Sequence, residues 1–99
     1  DIIIDPGYGF SKTLDQNYEL LGKAELLCNL DLPVLTGVSR KSMLYKLIGT
    51  GPEGALAATV AAHVIALLKG THILRVHDVR EAIQAIQIVD KTKREAGHG

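Results

Sequence analysis

The sequence predicts an α/β fold with parallel strands, on the basis of three observations. Three short apolar runs, rich in β-branched residues, each precede a segment with helical spacing. The runs begin about 30 and then 40 residues apart, which leaves room for a crossover helix between parallel strands. Each run also ends in polar or charged residues, at the edge where parallel sheets bind ligands. An open doubly wound sheet and an arc of a (β/α)8 barrel both fit this pattern.

The first unit is a strand over residues 2–5, a β-branched run typical of a strand buried on both faces. A turn at Pro6 leads into a glycine-bearing loop. Thr13 then begins a helix, with Gln16 placed to complete a capping box. Helical spacing predicts a buried face made of Leu14, Tyr18, Leu21, Ala24 and Cys28.

The second unit has two helices. A strand is predicted over residues 32–36 and a short helix over residues 40–48, after a glycine turn. A longer helix begins near Pro52, and Gly70 is placed to end it.

The third unit starts with a strand over residues 72–77. Asp78 is positioned as the cap of the last helix, and Glu81 would complete a second capping box. The predicted buried stripe of that helix consists of Val79, Ile83, Ile86 and Val89.

The composition excludes several classes of protein. Eleven basic residues balance eleven acidic ones, which argues against a nucleic-acid-binding arm or a basic membrane patch. The most apolar segment, residues 55–68, is too short to span a bilayer. A single cysteine cannot form an internal disulfide, so we expect a reducing, cytoplasmic location.

The apolar content is high for a chain of this size. Hydrophobic residues make up 46% of only 99 residues, more than a domain this small is expected to cover. The chain also begins inside a predicted strand, without an initiator methionine. We therefore expect a piece of a longer protein that associates with itself, because three strands leave two open edges.

Three positions at the ends of the strands are candidates for binding. Asp5 follows an isoleucine run and needs a partner, which is either a helix cap, an ion pair with Lys12, or the N–H donors of a nitrogen-rich ring. Arg75 and His77 are two residues apart, so they lie on the same side of their strand. The arginine is suited to an anion or an aromatic face. The histidine either donates a hydrogen bond to a phosphate oxygen or is a core residue.

The segment around Lys41 and Ser42 follows a glycine turn and begins a helix. It is either a site for an anion or polar ring edge, or an ordinary charged first turn. Polar residues thus come from three successive strands, which favours the barrel. His63 is predicted to be a packed core histidine, and the four histidines lack the spacing of a metal site. From the residues alone we expect a cleft for an anionic, heteroaromatic ligand and can assign no reaction.

Three motifs give a more specific indication. They are D-P-G-Y-G-F-S-K at residues 5–12, G-V-S-R-K-S at residues 37–42 and I-L-R-V-H-D-V at residues 73–79. In this order the sequence resembles the dihydropteroate synthase family over almost its whole length. The resemblance implies a TIM barrel, with residues 1–99 as a C-terminal fragment that holds strands 6–8 and their helices, an incomplete barrel. Positions 8 and 11 vary within the first motif and are expected to be permissive.

The family condenses para-aminobenzoate with 6-hydroxymethyl-7,8-dihydropterin diphosphate, which gives 7,8-dihydropteroate and diphosphate for folate synthesis. The resemblance implies that Asp5 and Lys41 bind the polar edge of the pterin and that Arg75 stacks on its face. Arg75 and His77 would lie near the diphosphate. With Lys41 they would form the catalytic set, without a protein nucleophile.

The same resemblance implies that Phe10 and Ser42 border the aminobenzoate subsite, with Lys41 beside it. It implies Mg²⁺ held largely by the substrate diphosphate and by residues outside this chain, a homodimeric full-length enzyme, and inhibition by sulfonamides. Two alternatives remain: a pterin-dependent methyltransferase barrel and a non-enzymatic pterin-binding homologue. We expect the 99-residue chain alone to be inactive.

Overall fold

The computed structural model describes residues 2–97, which form a short parallel sheet covered by helices. The helices carry most of the ordered backbone, and the strands are only two residues long. In chain order the elements are α1 (Leu14–Gly22), α2 (Glu25–Cys28), β1 (Leu35–Thr36), α3 (Ser42–Ile48), a 3₁₀ turn (Pro52–Gly54), α4 (Leu56–Lys69), β2 (Ile73–Leu74) and α5 (Val79–Glu95).

The predicted parallel arrangement is confirmed, although the strands are shorter than predicted. β1 pairs with β2 in parallel register, Leu35 opposite Ile73. The first predicted strand is reduced to a single parallel bridge between Ile4 and Val34. Ile2 is 68% exposed, so the expectation of burial on both faces is wrong for this strand, because no described residue covers it. The bridge and β1–β2 nevertheless place the three segments side by side in chain order.

Local signals at the helix ends are mostly confirmed. The Thr13 hydroxyl accepts from the Gln16 N–H and the Gln16 side chain accepts from the Thr13 N–H, so the capping box is present. Gly70 ends α4 in the left-handed conformation, where glycine has no steric penalty. The first predicted helix is interrupted after Gly22, and α2 begins at Glu25.

The predictions for α5 need correction. The Asp78 side chain makes no capping hydrogen bond, because its carboxylate is bonded elsewhere. The buried side chains of α5 are Ala82, Ala85 and Val89, whereas Val79 and Ile83 of the predicted stripe are exposed. Small side chains such as alanine allow α5 to pack closely against α4.

The core lies among α1, α3, α4 and the loops at one edge of the sheet. It consists of Tyr8, Leu21, Val38, Met43, Leu44, Ala62 and Ala66. Tyr8 and Val38 belong to loops that follow strand positions, so packing of the core also fixes those loops. Within residues 2–97, no helix combines the length and the apolarity needed to cross a membrane.

Candidate functional site

The three motif segments meet at one edge of the sheet. Asp5 follows the bridge at Ile4, the loop of residues 37–41 follows β1, and Arg75 follows β2. Because neighbouring parallel strands end at the same edge, their polar residues are brought together there. Two recesses adjoin at this edge.

The first, here called the aromatic recess, is an open cleft of about 230 Å³. It is lined by Tyr8, Gly9, Phe10, Lys41 and Ser42. The Phe10 ring is 72% exposed, and the Lys41 Nζ lies 5.7 Å from its centroid, within range of a cation–π interaction. The recess therefore offers an aromatic face and an ammonium group to the same ligand.

The second, here called the cationic recess, has a volume of about 110 Å³. Its lining residues are Gly37, Ser39, Lys41, Arg75, Val76 and His77. Lys41 lines both recesses. A ligand with an aromatic part and an anionic part could therefore contact one lysine from both sides.

The Lys41 ammonium group has one hydrogen-bond acceptor within residues 2–97. Its Nζ donates to the Tyr8 carbonyl oxygen at 2.6 Å. Partial burial lowers the pKa of Lys41, the positive charge of Arg75 lowers it further, and Asp5 opposes the shift. An anion placed between Lys41 and Arg75 would relieve the repulsion between them.

Asp5 is neither a helix cap nor the ion-pair partner of Lys12. Its carboxylate is exposed rather than buried, and Lys12 is not its partner, because the Lys12 Nζ donates to the Gly7 and Phe10 carbonyls. One Asp5 oxygen accepts from the Gly7 N–H at 2.9 Å. The other lies 3.5 Å from Arg75 Nη1, a pair too exposed to contribute much to stability. The carboxylate therefore keeps free acceptor positions for a ligand.

His77 is oriented by a serine. Its Nδ1 lies 2.8 Å from the Ser39 Oγ, and its backbone N–H donates to the same oxygen at 3.3 Å. When the Ser39 hydroxyl donates to Nδ1, the proton of the neutral ring resides on Nε2. His77 can then donate that N–H to an anion. The structure thus brings together all six predicted site residues, Asp5, Phe10, Lys41, Ser42, Arg75 and His77.

Sequence reasoning missed the residues that hold these loops. Tyr8 is 1% exposed and packs in the core, so its side chain holds the loop in place. The buried Asn17 accepts from the Gly9 N–H through Oδ1 at 2.8 Å. The Arg40 guanidinium donates to both carboxylate oxygens of Asp78, each at 3.0 Å. The third motif does include Asp78, but the local pattern there indicated a helix cap and not a partner for Arg40.

His63 is a core residue, as predicted. It is 2% exposed, and its Nε2 has no hydrogen-bond partner among residues 2–97. Burial lowers the pKa of His63, and the negative charge of Asp78 partly offsets that shift. Among residues 2–97, no group of three His, Cys, Asp or Glu side chains is arranged to hold a metal ion.

Comparison with known proteins agrees with this geometry. A sequence model of the family described as "Pterin binding enzyme" matches residues 1–77. The chain belongs to the pterin binding enzyme family. Within this family it is similar to the dihydropteroate synthase of Escherichia coli K12, at 44% identity over 91 residues, which are 92% of this chain and 32% of that protein. The chain therefore spans about a third of the length of this relative.

Solved structures show the same relationship. The Yersinia pestis dihydropteroate synthase in complex with a sulfonamide drug superposes with a TM-score of 0.91 at 43% identity, covering 94% of this chain and 34% of that one. The Coxiella burnetii enzyme in complex with pteroic acid superposes with a TM-score of 0.90 at 41% identity, covering 93% of this chain and 35% of that one. These pterin binding enzymes are TIM barrels, so residues 2–97 have the fold of an arc of that barrel and not of a closed one.

Proposed function

We propose that residues 1–99 form the C-terminal part of a dihydropteroate synthase, containing strands 6–8 of its barrel. The full-length protein would condense para-aminobenzoate with 6-hydroxymethyl-7,8-dihydropterin diphosphate, forming 7,8-dihydropteroate and diphosphate. The observation that supports this most strongly is the position of Lys41 between the two recesses. A reaction that joins two ring systems and releases an anion needs such a group where the reactants meet.

The cationic recess suits the pterin diphosphate. The Arg75 guanidinium can lie against the flat pterin ring, while the Asp5 carboxylate accepts from the N–H groups of its amino-pyrimidine edge. Lys41 donates to the polar edge of the ring. His77 is then placed to donate Nε2–H to a diphosphate oxygen, with its other nitrogen held by Ser39.

The aromatic recess suits para-aminobenzoate. Phe10 offers an apolar ring face, and Ser42, at the start of α3, offers a hydroxyl. A sulfonamide resembles para-aminobenzoate in shape and would compete for the same recess. A Yersinia pestis relative is solved in complex with a sulfonamide drug, which supports sulfonamide binding by the full-length protein.

The reaction asks for charge stabilisation rather than a nucleophile from the protein. When the bond between the pterin methylene carbon and the diphosphate oxygen breaks, the electron pair leaves with the diphosphate and positive charge remains on the pterin. Lys41, Arg75 and His77 stabilise the leaving anion. The aminobenzoate nitrogen then attacks the methylene carbon and loses a proton.

Magnesium remains a prediction about the substrate. No group of three His, Cys, Asp or Glu side chains in residues 2–97 could hold the ion. We propose that Mg²⁺ accompanies the diphosphate and is held by groups outside these residues. A homodimeric full-length enzyme in the cytoplasm also belongs to the proposal, and the free thiol of Cys28 agrees with a reducing compartment.

Calorimetric titration of the full-length protein with dihydropterin diphosphate tests the proposal. We expect Lys41→Ala and Arg75→Ala each to weaken binding by about 10- to 100-fold, because each removes a cationic group that contacts the pterin and faces its diphosphate. Lys91→Ala, at an exposed position on α5, is the matched control and should bind like the wild type. Unchanged binding in both site variants would refute the assigned roles.

The isolated 99-residue chain should be inactive and should associate. Several large apolar side chains lie exposed on it, among them Ile2, Leu26, Val79 and Ile88. Sedimentation at micromolar concentration should show species larger than the monomer. Formation of dihydropteroate by this chain, or a clean monomer, would contradict the prediction.

A further inference from the structure

Two polar links join the loop after β1 to the loop after β2. Ser39 contacts His77, and the next residue in each loop forms the second link, from Arg40 to Asp78. This second link is bidentate, with the guanidinium Nε and Nη2 donating to opposite oxygens of the carboxylate, an arrangement that fixes direction as well as distance. Neither Arg40 nor Asp78 lines the aromatic or the cationic recess.

Arg40 is held in an unusual backbone conformation. Its φ is +56°, in the left-handed region that residues with a Cβ seldom adopt. Its backbone N–H donates to the Thr59 Oγ1 at 3.0 Å, and its Nη1 donates to the Pro52 carbonyl at 2.8 Å. Four donors of one residue are thus engaged by three separate segments of the chain. This set of bonds determines the direction in which the chain leaves Arg40 towards Lys41.

Asp78 completes the arrangement from the other side. It does not cap α5, so the cap role predicted for it does not account for its carboxylate. The hydrogen bonds from Arg40 lower the pKa of Asp78, which keeps the carboxylate ionised and bonded. Because Asp78 directly follows His77, its bonds to Arg40 also restrict where the His77 backbone can lie.

We propose that Arg40 and Asp78 are positioning residues, which hold the two loops at a fixed separation so that Lys41 and His77 face one ligand. The inference rests on the proposed function, because the ligand in question is the pterin diphosphate. The pair touches neither substrate. It acts through the residues that precede or follow it in the chain.

A double-mutant cycle in the full-length protein tests this pair. Arg40→Gln and Asp78→Asn should each lower kcat/KM for dihydropterin diphosphate by about 10- to 100-fold, because small displacements of binding groups are costly. The double variant should be no worse than either single variant, since both remove the same link. Lys91→Gln removes an exposed ion pair with Glu95 and is the matched control, with unchanged kinetics expected.

Two further measurements separate positioning from a purely structural role. Arg40→Lys keeps the positive charge but cannot make the bidentate contact with Asp78. This variant should therefore fold and still show a lower kcat/KM. The imidazole ¹⁵N chemical shifts of His77, recorded without ligand, should change in Asp78→Asn because the contact with Ser39 is altered. Additive losses in the double variant, unchanged kinetics in both single variants, or unchanged His77 shifts would overturn the inference. A wild type that fails to bind dihydropterin diphosphate would instead refute the proposed function, and the His77 shifts would still test the link.

Discussion

The loop of residues 5–12 and the two loops after β1 and β2 border the same recesses but are held by different bonds. The first loop is held mainly by bonds within itself and to α1, through Lys12 and Asn17, and Lys41 donates to its Tyr8 carbonyl from the loop after β1. The other two are fixed to each other by charged and hydroxyl groups. The half of the site at the cationic recess is therefore braced by side-chain bonds across the sheet, whereas the half that carries Phe10 is held mainly by local contacts. The predictions below probe each half.

The largest effect is expected from Gly37→Ala in the braced half. A Cβ at this position would overlap the Arg75 guanidinium, which lies directly over the glycine. Arg75 would have to move, and we expect kcat/KM of the full-length protein to fall by about 100-fold. Gly22→Ala is the control, because nothing lies within 4 Å of a Cβ there. Equal kinetics for the two variants would contradict the close approach of Arg75.

A smaller effect, on stability, is expected from Asn17→Ala in the locally held half. The substitution leaves the Gly9 N–H without its acceptor, which should lower the free energy of unfolding by about 1–3 kcal/mol. Urea unfolding of the full-length protein measures this. Asn17→Asp keeps an acceptor and should cost less, and the exposed Asn29→Ala should stay within about 0.5 kcal/mol of the wild type. A loss at Asn29 equal to that at Asn17 would count against the role of the buried amide.

His63 should make stability depend on pH beneath the braced half. Burial lowers its folded pKa below the ordinary value of 6.5, so the unfolded chain takes up the proton first as pH falls. The stability that His63 contributes is complete above pH 6.5 and is lost progressively as pH falls from there to the lower pKa of the folded protein. Thermal unfolding of the full-length protein between pH 7.5 and 5.5 should show a smaller decline for His63→Gln than for the wild type. Parallel curves would show that His63 does not titrate in this way.

The smallest effect is expected from Phe10→Ala. The ring is mostly exposed, so stability should change by no more than about 0.5 kcal/mol. The KM for para-aminobenzoate should rise roughly fivefold, from the loss of about 1 kcal/mol of apolar contact. In Phe10→Leu the KM for para-aminobenzoate should rise less. A selective rise in the KM for dihydropterin diphosphate would place Phe10 in the wrong subsite.

The sequence predicted the features that depend on short-range chemistry. The Thr13 capping box, the end of α4 at Gly70 and the order of the parallel segments all follow from local spacing. The six predicted site residues were found together because strand ends share one edge. The burial of Asp5 and the first strand was predicted wrongly, because burial depends on neighbours that the local sequence does not specify.

The links between loops could not be predicted for the same reason. Arg40 contacts Asp78, which is 38 positions away in the sequence. Its backbone is left-handed, a conformation that arginine usually avoids and that its residue type therefore does not predict. Asp78 stands where a helix cap is expected, and that local pattern conceals the longer-range partner. The individual roles of the six site residues stay predictions until the variants are measured.

The burial of Tyr8 affects how the sequence of this loop could change during evolution. Its side chain is buried in the core while its carbonyl accepts from Lys41, so the middle of the loop is anchored independently of its tip. Phe10 and Ser11, both exposed, lie beyond that anchor. Substitutions at the tip can therefore change the surface of the aromatic recess while the loop keeps its place. If the proposed function holds, selection for a new aryl substrate would act on this tip at little cost in folding.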